Sequence, residues 1–150
     1  MEKLFFYDLE TTGVMHWKNG IHQIAGQIVI DGVIKEVFDF KVAPNPAAII
    51  TPEALEVGGV TIEQIQTYPP MREVYNSLIK MMSKYVDRYS KFDKFHLVGY
   101  NNRGFDDNFL RALCKTKQQK EQLEDFLSQD STYTTCSTCK TTLKGNIIII

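Results

Sequence analysis

The stretch Leu4-Phe5-Phe6-Tyr7-Asp8-Leu9-Glu10-Thr11-Thr12-Gly13 constrains this chain more than any other. Lys3 to Leu9 is rich in aromatic and branched residues and reads as a buried β-strand. Buried strands seldom hold acids, because an unpaired carboxylate in apolar surroundings is costly. Side chains alternate along a strand, so Asp8 and Glu10 point to one face, about 7 Å apart, and Leu9 points to the other. Two carboxylates so placed repel each other unless a cation lies between them, and a divalent metal is the simplest one. A solvent-facing strand end also carries acids, so Asp-x-Glu alone does not decide. The hydrophobic approach, the two acids and the Thr-Thr-Gly exit together favour a site. Gly13 permits a tight turn there. The hydroxyls and N–H groups of Thr11, Thr12 and Gly13 offer contacts for a sugar or a phosphate.

At 150 residues the chain is long enough for one domain with a real core. It is 43% hydrophobic and 23% charged, which argues against disorder. No secretory signal and no apolar run of membrane-spanning length is found, so a cytoplasmic protein without a membrane partner is expected. The net charge of −1 argues against tight binding to long duplex DNA, but not against an enzyme that acts on a chain end. Cys114, Cys136 and Cys139 form no paired framework. Cys136-Ser-Thr-Cys139 lacks the second ligand pair of a zinc site, so free thiols are the favoured reading.

Ile21 to Ile30 reads as a second strand, Asp31-Gly32 as a two-residue hairpin, and Val33 to Val42 as a third strand with Val37, Phe38 and Phe40 as its bulk. The loop between the first two strands, with Trp17 in it, is expected to border Asp8 and Glu10. Thr51 before Pro52 suits a helix N-cap, and Gly58-Gly59 its end. Thr61 and Gln64 make a capping box for a second short helix, which Pro69-Pro70 breaks. Met71 to Tyr89 has the spacing of a long amphipathic helix, with Val74, Leu78, Ile79, Met82 and Val86 inward. Phe95 to Tyr100 is a fourth strand, and Phe105, Phe109, Ala112 and Leu113 lie at helical spacing after it. Lys117 to Leu127 is a further helix.

The first string resembles motif I of the DEDD 3′–5′ exonucleases, the group that includes the epsilon subunit of bacterial DNA polymerase III, ribonuclease T and the oligoribonucleases. The family pattern, a hydrophobic strand followed by Asp-x-Glu-Thr-Thr-Gly, is met at every position. Val98-Gly99-Tyr100-Asn101-Asn102-Arg103-Gly104-Phe105-Asp106-Asp107-Asn108-Phe109-Leu110 resembles motif II, and its Phe-Asp-x-x-Phe-Leu core selects Asp106 over Asp107. Asn101 replaces the motif's common His. The intervening Pro52-Glu53-Ala54-Leu55-Glu56-Val57-Gly58-Gly59-Val60-Thr61 is similar to the family's segment that walls the terminal nucleotide's pocket. Glu53 falls at a position that can contact substrate, with a helix-start acid as the even alternative. Gly58 stands where relatives often carry His or Asn.

The resemblance implies a ribonuclease H-like α/β fold: a mixed sheet with an antiparallel three-strand meander, the fourth strand parallel to the first, and flanking helices. Residues 1–130 would form this domain and 131–150 an atypical or truncated tail. It implies metal-dependent 3′–5′ exonuclease action on single-stranded DNA or RNA, releasing nucleoside 5′-monophosphates. Two Mg²⁺ or Mn²⁺ ions about 4 Å apart would be held by Asp8, Glu10 and Asp106. Thr11, Thr12, Gly13, Glu53, Asn102 and Phe105 would contact substrate. A polymerase or another replication or repair protein would be the kind of partner expected. One part of the pattern is missing: no His or Tyr followed closely by Asp, the family's motif III, occurs after Asp106. Loss of a general base costs about 10²–10⁴ in rate. Weak activity is therefore expected, with a non-catalytic nucleic-acid-end or partner-binding module as the alternative. A ribonuclease H-type endonuclease is a further, less favoured reading.

Overall fold

The acidic strand lies at the centre of a five-stranded sheet. A computed structural model describes residues 1–100, 110, 113–128 and 133–135. β1 (Lys3–Thr11) runs past Leu9 to include both acids. β2 (Ile21–Ile30) and β3 (Val33–Lys41) complete an antiparallel meander. Asp31 and Gly32 make its hairpin with φ of 48° and 79°, the left-handed pair that the tight turn requires. β4 (His96–Tyr100) pairs parallel with β1, and β5 (Tyr133–Thr135) parallel with β4, giving the order β3-β2-β1-β4-β5. The mixed sheet and the parallel fourth strand are as expected from the sequence.

Alternation on β1 sorts its residues as predicted. Phe5, Tyr7 and Leu9 are buried on the core face, while Asp8 and Glu10 share the other. Phe5 stacks on Phe38 at 5.2 Å and lies 5.9 Å from Phe95. β3 is an edge strand whose residues alternate between a face packed on the core and an outward face. Phe38 is buried and packs on Phe40, whereas Val37, on the opposite face, is 55% exposed.

Two short helices follow the meander, α1 (Pro52–Gly58) and α2 (Ile62–Gln66). The capping box of α2 is present, with Gln64 N–H donating to Thr61 Oγ1 and Thr61 N–H to Gln64 Oε1. Thr51 flanks α1 without a side-chain cap; its N–H is used elsewhere, as described below. α1 ends with Gly59 in the left-handed conformation.

α3 (Met71–Ser83) buries Met71, Val74, Tyr75, Leu78, Met81 and Met82. It stops well short of Tyr89, because other groups claim the backbone beyond Ser83. Lys3 Nζ donates to the Tyr85 carbonyl, and Asp87 N–H donates to Asp93 Oδ2 at 2.9 Å instead of continuing the helical ladder. α4 (Lys117–Glu124) likewise ends before Leu127. Phe126 O and Ser128 N are bonded to the backbone of Phe95, so this segment extends alongside β4. Among the described residues no helix is long and apolar enough to cross a membrane.

Tyr75 ties α3 to α4. Its hydroxyl is bonded to Gln119 O at 3.0 Å and to Gln122 Oε1 at 2.6 Å. Burial, and after it the neighbouring Cys114, push this phenol up to about 12. The unfolded chain gives up this proton near the ordinary phenol value of about 10. The linked stability is therefore complete below that pH and is lost as pH rises toward about 12. We expect Tyr75→Phe to cost about 1 kcal/mol at neutral pH. In urea titrations it should also remove part of the alkaline decline; an unchanged decline would contradict this account.

Candidate active site

The turn leaving β1 is held by one carbonyl. Ile49 O accepts from Thr12 Oγ1 and from Asn19 Nδ2, each at 2.8 Å. Thr12 also receives Gly20 N–H on its hydroxyl at 2.9 Å, gives its own N–H to Gly20 O at 2.8 Å, and accepts Thr51 N–H on its carbonyl at 2.7 Å. Asn19 Oδ1 accepts Met15 N–H at 2.9 Å. These bonds fasten the loop after β1 to the start of α1. Glu53 is exposed in the first turn of the helix they anchor.

Thr12 is 0% exposed, and its hydroxyl both donates and accepts inside the protein. The structure gives it the task of shaping the turn, a different one from the sugar contact expected from the sequence. Thr11 is half-buried and donates to Gly13 O at 2.7 Å, which leaves hydroxyl lone pairs for a ligand. Gly13 is needed for a reason other than a positive φ, which among the described glycines only Gly32 and Gly59 have. A Cβ there would lie 2.4 Å from the Asn19 carboxamide.

Asp8 and Glu10 are both half-buried on the same face, opposite Ala25 and Gln23 of β2. Asp8 accepts the Leu9 N–H at 3.2 Å and has no cationic side chain paired to it among the described residues. Gln23, across from Glu10, donates to Asp39 Oδ1 at 2.7 Å. An all-oxygen pair of half-buried carboxylates suits a hard divalent cation such as Mg²⁺ or Mn²⁺. Among the described residues no group of three potential ligands forms. Asn102, Phe105 and Asp106, the remaining predicted site residues, lie outside the described residues, as do Cys136 and Cys139.

His22 and Asn19 were not singled out in the sequence. The β1–β2 register slips after Glu10: Glu10 faces Gln23 and Thr11 faces Ile21, so His22 is the extra residue of a bulge. Strand alternation does not announce such a bulge. His22 is 1% exposed, and burial, helped by Lys41, holds its imidazole below the ordinary histidine range. Asn19 precedes Gly20 and reads simply as a loop residue until its two side-chain bonds are seen.

The loop between β1 and β2 also forms a pocket of about 220 Å³ lined by His16, Trp17, Lys18 and Asn45. Trp17 is 72% exposed, with His16 edge-on at 5.2 Å.

Comparison with known proteins agrees with this architecture. The exonuclease family of the RNase T type matches residues 5–140. The chain belongs to this family, the DEDD-type 3′–5′ exonucleases. Its fold is similar to that of Escherichia coli exonuclease I in complex with a dT13 oligonucleotide, with a TM-score of 0.61 and 21% identity over 75% of this chain and 23% of exonuclease I. A structure described as suggesting how exonuclease I achieves processivity gives a TM-score of 0.61 at 22% identity, covering 75% of this chain and 24% of that one. The chain thus spans about a quarter of exonuclease I. No curated protein matches it.

The close approach of Asn19 to Gly13 makes a coupled pair. Gly13→Ala should destabilise the fold by about 1–3 kcal/mol. Asn19→Ala should do so by a similar amount, through its lost bonds to Ile49 and Met15. In the double variant the two costs should fall short of additivity by more than about 0.5 kcal/mol, since the clash is gone. Additive losses in denaturant titrations would contradict the contact.

Proposed function

We propose that the chain carries a metal-dependent 3′–5′ exonuclease site that removes nucleoside 5′-monophosphates from single-stranded ends. The observation that carries this reading is the shared face of Asp8 and Glu10 at the carboxyl end of β1. Ligands of α/β sheets collect at such strand ends. Support for Asp106 as the third ligand is topological: β4 is parallel to β1 in the register Phe6–Val98, so the chain that leads on to Asp106 departs beside the acidic end.

Bound there, divalent ions would activate a water for attack on phosphorus and neutralise charge on the phosphate and the leaving 3′ oxygen. The chain's own groups do the rest. Asp8 and Glu10 stand on a central strand whose ladder with β2 fixes their backbone and keeps both carboxylates on one face. Thr11 and Gly13 face the terminal sugar across a turn that Thr12 and Asn19 hold rigid. Glu53 approaches the same nucleotide from α1. Asn102 and Phe105 complete the substrate contacts through motif II. Either DNA or RNA fits this reading, and a replication or repair protein is the class of partner it suggests.

A second reading is a nucleic-acid-end binder without catalysis on the same fold. Both are tested with a 3′-labelled single strand and Mn²⁺. The exonuclease reading predicts mononucleotide release that Asp8→Asn or Glu10→Gln lowers about 100-fold or more. Binding without release favours the second reading. Internal cuts would contradict both and point to endonuclease action.

A further inference from the structure

His22 is a buried imidazole that the proposed mechanism does not use. Neither ring nitrogen has a hydrogen-bond partner among the described residues. An orphaned buried donor or acceptor is costly and calls for an explanation. Its place in the fold supplies one. His22 is the bulged residue next to the acidic end of β1, and bulges re-aim side chains beside functional sites. A Cβ built on Gly58 would lie 3.6 Å from His22 Cε1 and Nε2 and 3.8 Å from Glu10 Oε2. The imidazole and the carboxylate therefore border the same small space at the end of α1, left open because position 58 has no side chain.

We propose that His22 is a positioning residue for Glu10, giving a ring N–H to the carboxylate and fixing its orientation when Glu10 turns to a divalent ion. This rests on the metal reading above. A neutral imidazole has one N–H to give, and a carboxylate that binds a metal through one oxygen has lone pairs left to accept it. Such outer contacts orient ligating groups, and their loss typically weakens metal binding about 10–100-fold. The approach also removes the orphaned donor, so the imidazole costs less in the metal-bound state than in the free one. The absent side chain at Gly58 keeps the space clear for it.

The test reads Mn²⁺ affinity by isothermal titration and thermal stability, with the full chain and no substrate. Removal of an orphan should not harm the fold, so His22→Leu is expected to keep or raise Tm. It should weaken Mn²⁺ about 10-fold, and His22→Gln, which restores a donor, should return affinity to within about threefold. A His22→Leu chain that binds Mn²⁺ like the unaltered one overturns the proposal. So does one that fails to fold, because the imidazole would then be a structural member of the core. Glu10→Gln separates the two levels. If it binds Mn²⁺ normally, the metal reading falls and this inference with it; if it binds weakly while His22→Leu does not, only this inference falls.

Discussion

Two hydrogen bonds onto the Ile49 carbonyl hold the arrangement on which the rest of the candidate site depends. Thr12 and Asn19 supply them from opposite ends of the loop after β1. With Thr51 N–H bonded to the Thr12 carbonyl, they fasten the acidic strand end to the start of α1. Each of these groups is a polar atom removed from water, and each is matched. Broken, the loop would leave Asn19 and Thr12 as buried orphans, a cost of about 1–3 kcal/mol apiece. The turn is thus rigid for a physical reason, and rigidity is what a site built on a loop otherwise lacks.

Rigidity matters here because the chemistry is electrostatic. Asp8 and Glu10 lie on a central strand and pair with Ala25 and Gln23 of β2, so that ladder fixes their backbone positions. Their repulsion is tolerable in a half-buried setting and becomes an asset when a cation arrives. The bulge at His22 lies at the same strand end, where β1 and β2 part company. A local departure from regular pairing, a buried imidazole and a carboxylate pair meet within one turn of chain.

Much of this was legible in the residues. β2 was read with its observed bounds, and the hairpin and the capping box followed from side-chain chemistry local to a few residues. The shared face of Asp8 and Glu10 followed from strand alternation alone. What was misread depended on partners distant in sequence. The end of α3 is set by Lys3, far away along the chain, and by Asp93, six residues beyond the Asp87 N–H that it accepts. Thr12 and Thr11 look alike in the motif, and only the Ile49 and Gly20 bonds show that one of them shapes the turn. His22 was passed over because a bulge is a two-strand property, invisible in either strand alone.

The central claim is that Asp8 and Glu10 are held together to bind divalent metal. Anomalous diffraction from crystals of the full chain grown with Mn²⁺ tests it most directly. The account predicts manganese peaks within about 2.0–2.6 Å of oxygens from both Asp8 and Glu10. Peaks confined to other surfaces, with both carboxylates uncoordinated at saturating Mn²⁺, would contradict it.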